Sequence, residues 1–150
     1  MCLTNISFDK EKHFCSYKPI KVYKVLQICQ SLDGQCKILK SESHNYTWKR
    51  GHNHFLTGIK LNKYKTSNII ADIFSSIQRK VINNGGFHVF LNKAAANKYC
   101  KNCYDVNMVV VELMAKPCNV LAIGKNNRRS AGAVVTNLYL SKEEYERVIG

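Results

Sequence analysis

Six short runs of β-branched and aromatic residues, with no helix recurring regularly between them, constrain the fold more than any other feature of the chain. They are IKVYKVLQIC (20–29), CKILKS (36–41), FHVFL (87–91), NMVVVELMA (107–115), NVLAIG (119–124) and AGAVVTNLYL (131–140). Each has strand length and strand composition. A doubly wound parallel sheet needs a helix after nearly every strand, and this chain lacks that alternation. Asp33-Gly34 is a hairpin turn pair between the first two runs, and the basic turn KNNRR separates the last two. HFLTGIK (54–60) reads as one more short strand, and ESHNYTWKRGHNH (42–54) as a polar, aromatic loop.

Two segments change period. In TSNIIADIFSSIQRKVI (66–82), Ile69, Ile70, Ile73, Phe74, Ile77 and Val81 form one apolar stripe at helical spacing. Thr66 or Ser67 serves as its N-cap, and Asn83-Asn84-Gly85-Gly86 stops it. A second helix is expected over about 92–103, capped by Asn92. Ser141 with Glu144 has the capping-box form, which predicts a last helical turn. The expected fold is α+β: a single compact domain, 1–150, with a mostly antiparallel sheet.

Hydrophobic residues make up 45% of the chain, enough to fold rather than stay disordered. No apolar run approaches the roughly 20 residues of a membrane span, and MCLTNISFDKEKHF lacks a signal peptide's basic start and apolar core. The expectation is a soluble cytoplasmic protein with no membrane partner. Seven Cys, an odd number, argue against a secreted disulfide framework and for reduced thiols. The 23 Lys and Arg against 10 Asp and Glu give a formal charge of +13, a field that attracts phosphates and nucleic acid. A Lys- and Asn-rich composition from an AT-rich genome accounts for the same number.

Three segments could carry recognition. GGFHVF (85–90) joins a flexible glycine pair to two rings flanking His88; Phe87 and Phe90 lie on opposite faces of a strand, so one ring joins the core and the other could stack on a base. TWKRGHNH (47–54) offers Trp48 as a stacking face, Arg50 as a phosphate clamp, and His52 and His54 as donors. KNNRRSAG (125–132) places Arg128 and Arg129 on a turn suited to an anion. The competing readings are a buried strand with a satisfied histidine, a loop anchored by Trp48, and a solvated turn. Cys100-x-x-Cys103 is one half of a zinc site that His88 and Cys118 could complete in space, though no second close pair accompanies it, and ordinary helix packing explains it as well. Cys2, exposed by Met1 removal, has the form of an N-terminal nucleophile or is simply a second residue. No resident cofactor is called for. Scattered carboxylates (Asp9, Asp33, Asp72, Asp105) do not form a two-metal nuclease site.

The sequence of MC, YKVL, WKRG, GFHVFLNKAAANKY and VVVELMA resembles a group of small phage and giant-virus proteins, some also found in bacteria, over most of the chain. It is also similar to phage proteins that neutralise nucleotide second messengers of bacterial immunity. Those resemblances imply a compact α+β homo-oligomer in the cytoplasm of an infected host cell that sequesters a cyclic nucleotide or cyclic ADP-ribose type signal. A metal-independent enzyme using His88 as acid or base, and a basic nucleic-acid-binding protein, are the alternatives. The chain departs from the pattern in its many Cys and its long basic middle section, 40–68.

Overall fold

The computed structural model describes residues 4–7, 18–41, 45–55, 85–126 and 130–150. The helix expected over 66–82 lies outside them, as do residues 56–60 of the strand expected over 54–60. The described strands are β1 (Thr4–Ser7), β2 (Ile20–Gln30), β3 (Lys37–Lys40), β4 (Thr47–Trp48), β5 (Gly51–His54), β6 (Phe87–Phe90), β7 (Met108–Ala115), β8 (Val120–Lys125), β9 (Ala131–Val135) and β10 (Asn137–Leu140). Two helices accompany them, α1 (Lys93–Lys101) and α2 (Lys142–Ile149). The fold is α+β, and every strand pairing is antiparallel.

The strands join one sheet in the order β1-β8-β9-β6-β2-β7-β10-β5, with β3 and β4 branching from β2. The branch arises because β2 is long. It pairs with β7 from Ile20 to Gln27 along one edge, and with β6 at Tyr23 and β3 from Gln27 to Gln30 along the other. Where β6 diverges, the Lys24 ammonium donates to the His88 carbonyl at 2.8 Å and stands in for a ladder bond.

Six strands close a ring: β2-β3-β4-β5-β10-β7. Five of its contacts are ladders. The sixth, β4 to β5, is the Lys49-Arg50 turn, held by the buried Asn53 side chain. Asn53 Oδ1 accepts from Lys49 N–H at 3.0 Å and from the Tyr46 hydroxyl at 3.3 Å. Its Nδ2 donates to the carbonyls of Lys49 and Gly51 at 2.8 and 3.1 Å. Gly51 sits at φ 87°, a left-handed conformation that disfavours any side chain.

The main core cluster joins Val22, Leu26, Leu39, Val111, Leu113, Leu138 and Leu140 of the ring strands with Trp48 and with Phe87 of β6, whose rings lie 4.6 Å apart. A smaller core of Val25, Phe90 and Ala96 sits under α1 on the opposite face of the sheet. Gly86 lets β6 approach β9, because a Cβ there would stand 2.8 Å from both Val134 Cγ1 and the Val135 carbonyl oxygen.

Helix α1 starts as its sequence dictates, with Asn92 Oδ1 accepting from Ala94 and Ala95 N–H. Helix α2 runs two turns rather than one, and only half of its expected capping box forms. Ser141 Oγ accepts from Glu144 N–H at 3.1 Å. The Glu144 carboxylate turns instead to β7, where it accepts from Glu112 N–H at 2.7 Å, and Arg147 donates to the Val110 carbonyl at 3.1 Å. Strand β10 meets β7 only at Tyr139–Met114. The Glu144–Arg147 pair therefore satisfies the strand edge that β10 leaves uncovered.

Candidate functional site

The loop expected over 42–54 contains β4 and β5, and period-2 alternation sorts its residues to different surfaces. Trp48 points inward and is 1% exposed, its ring 4.6 Å from Phe87 and its indole N–H donating to Ser41 Oγ at 2.8 Å. Its faces are occupied by protein. Phe87 is enclosed by Tyr46, Trp48 and Phe55, and Phe90 packs against Tyr99 of α1. These three rings are core residues. Arg50 lies 3.9 Å from Glu146 and lines a cleft of about 440 Å³ beside α2.

His52 and His54 point outward from β5, with ring centroids 6.1 Å apart and planes 25° from parallel. Next to them the Tyr139 ring meets His52 edge-on at 5.2 Å and is 41% exposed. The registers extend this contact into a row. His52 pairs with Tyr139, Tyr139 with Met114, and Met114 with Lys21, so four side chains cross β5, β10, β7 and β2 on one face. The row borders a cleft of about 570 Å³ whose other walls are Pro19, Lys116, Cys118, Asn119 and Asn137. At its far end the Lys21 ammonium stands 3.0 Å from Glu112, whose hydrogen bond and negative charge raise the lysine's pKa.

This cleft has the size of a small-molecule site and a mixed lining: two exposed rings, a lysine, two amides and a thioether. Sequence reasoning located His52 and His54 but not Tyr139, Lys116, Asn119 or Asn137. The signal for Tyr139 and Asn137 is register, which requires knowing that β10 lies between β5 and β7, whereas Lys116 and Asn119 belong to the connection from β7 to β8.

The remaining candidates do not join this cleft. His88 is half-buried on the same side of the sheet as α1. In the order β6-β2-β7-β10-β5 it is four strand spacings from His52, roughly 19 Å at about 4.8 Å per strand. Arg128, Arg129 and Cys2 lie outside the described residues. Cys100 donates its thiol to the Met108 carbonyl and Cys103 to the Tyr99 carbonyl, both at 3.4 Å, so the two sulfurs serve separate contacts. Burial pushes the Cys100 thiol pKa up, away from the thiolate that a metal needs. Among the described residues no group of three His, Cys, Asp or Glu side chains is placed to hold a metal ion, and no helix is long and apolar enough to cross a membrane. Comparison of the chain with protein-family models, with curated proteins and with solved structures finds no match.

Proposed function

We propose that the protein binds and sequesters a small anionic, ring-bearing ligand of the nucleotide type in the cleft beside β5 and β10. The observation that carries this reading is the cross-strand row His52–Tyr139–Met114–Lys21, bordered by Lys116 and by the amides of Asn119 and Asn137. The exposed Tyr139 ring, braced edge-on by His52, supplies a stacking face for one base. Lys116, within a chain of formal charge +13, supplies attraction for a phosphate. The asparagines supply donors and acceptors for a base edge or sugar hydroxyl. Together with the resemblance to phage proteins that neutralise nucleotide second messengers, this gives a viral anti-defence role in an infected host cell, with a cyclic nucleotide or cyclic ADP-ribose type signal as the ligand.

Two observations favour binding of a single small molecule over the alternatives. A general acid–base pair must reach one substrate within hydrogen-bond distance, and His88 and His52 are about four strand spacings apart. A non-specific single-strand groove presents successive exposed rings along a track, whereas among the described residues the cleft is lined by one exposed ring pair, His52 and Tyr139.

Native mass spectrometry of protein purified from infected cells, then chromatography of what denaturation releases, tests the reading. An intact nucleotide at one per chain supports it. Calorimetry with a cyclic-nucleotide panel then compares Tyr139→Ala and Lys116→Ala with the unaltered chain. Losing a base stack costs about 1–3 kcal/mol, so Tyr139→Ala should weaken binding about 5- to 150-fold. Unchanged affinity in both variants overturns the site.

A further inference from the structure

The three most exposed large apolar side chains among the described residues are Leu32, Tyr104 and Val106, at 107%, 105% and 93% of full exposure. All belong to two loops, 31–36 and 102–107, at the same end of the β2–β7 pair. The ladder brings the loops together: Gln27 pairs with Met108, Ile28 N–H donates to the Asn107 carbonyl at 2.9 Å, and the Gln27 side chain bonds Asp105. Both loops are ordered by their own bonds. Asp33 accepts from Ser31 Oγ and Gln35 N–H, and Asp105 accepts from Asn107 N–H. At the foot of the second loop lies a cleft of about 370 Å³ lined by Tyr99, Cys103 and Met108 among others.

We propose that this end of the molecule is a self-association surface, on which a second copy of the chain docks about a two-fold axis. The patch carries both parts of an isologous contact, since Leu32 is a projecting apolar knob and the cleft beside Tyr99 and Met108 is a hollow able to receive it. Charge selects the partner. The chain as a whole repels its copies at +13, but the two loops contain Asp33 and Asp105 and no Lys or Arg. Lys37 and Lys101 flank the loops in sequence, so the local sum is zero and two copies can meet there without the repulsion that the rest of the chain imposes. The contact is small. Tyr104 brings roughly 200 Å² of surface and the aliphatic pair less, so the interface falls below the usual 1,200–2,000 Å² total and the dimer is weak and reversible.

Sedimentation equilibrium of the full chain, from low micromolar to near-millimolar concentration, tests this. The expected result is a monomer–dimer equilibrium within that range. Leu32→Ser with Tyr104→Ser, both fully exposed and harmless to the core, should raise the dissociation constant at least tenfold. Asp33→Asn with Asp105→Asn keeps an acceptor oxygen at each loop but removes the anions, and should weaken the dimer at low salt with recovery at high salt. A chain monomeric throughout, or a dimer indifferent to both double variants, overturns the proposal. So does a monomer that floats with anionic vesicles and loses that binding in the Leu32→Ser, Tyr104→Ser variant, because the apolar tips then serve a membrane. None of these readouts depends on ligand binding.

Discussion

Replacing Asn53 by Ala should destabilise the protein by about 2–4 kcal/mol, although the change removes only one amide. The side chain is fully buried and makes four hydrogen bonds, two as acceptor and two as donor. At about 1 kcal/mol each the four sum to about 4. The lower figure allows for water reaching the Lys49 backbone, because Lys49 and Arg50 are exposed. Asn53→Asp is the sharper perturbation. It keeps the acceptor for Lys49 N–H but turns a carboxylate oxygen toward two carbonyls. The folded state then favours the protonated acid, so the aspartate pKa is raised on folding. A raised pKa means the native state binds more protons, so the contribution is full below the unfolded value and is lost as pH rises from there through the folded one. Urea unfolding of both variants at pH 4 and pH 7 measures this. Asn53→Asp should lie about 1 kcal/mol below the parent at acid pH, its single O–H replacing two N–H donors, and further below it at neutral pH. A loss under about 1 kcal/mol for Asn53→Ala, with no pH dependence for Asn53→Asp, would refute the claim that this side chain closes the ring.

Two further changes test how the edges and the close approach are secured. Burial pushes the Glu144 carboxyl up, but the Arg147 guanidinium and Glu112 N–H together hold it below the usual range; its contribution is therefore full above the unfolded pKa and is lost as pH falls through the folded one. Glu144→Ala should cost about 1–3 kcal/mol in neutral urea melts and much less at pH 3, the hydrogen bonds being charge-assisted. Gly86→Ala should cost about 1–3 kcal/mol by thermal melting, because the new methyl meets the Val135 carbonyl oxygen at 2.8 Å and backbone in a ladder cannot yield as a side chain can.

Local chemistry was legible in the chain wherever a signal is complete within a few residues. Asp33-Gly34 gives the β2–β3 hairpin, Asn92 the start of α1, and the run from Asn107 to Ala115 a central strand. The failures are all cases where distant partners decide. AGAVVTNLYL looks like one strand, yet Thr136 divides it between β9, which pairs with β6 and β8, and β10, which pairs with β5 and β7. TWKRGHNH looks like a loop because its polar residues face outward on a strand only four residues long. Trp48 has the composition of a stacking platform, and what removes it from that role is Phe87, thirty-nine residues away.

The same division explains why the candidate site was only half visible. His52 and His54 share a face by alternation, which is local. Tyr139, Met114 and Lys21 join them through three registers, two of which carry inward pairs beside the row: Asn53 with Leu138 and Gly51 with Leu140 between β5 and β10, and Val22 with Leu113 between β2 and β7, while β10 meets β7 at Tyr139–Met114 itself. A one-residue slip in any of these would turn its outward partner into the core. The buried asparagine, the leucines and the valine thus determine which rings meet on the surface. Asn53→Ala should accordingly weaken ligand binding as well as folding, although its side chain faces away from the cleft. If binding survives unchanged in that variant under conditions where it stays folded, the row is not what holds the ligand.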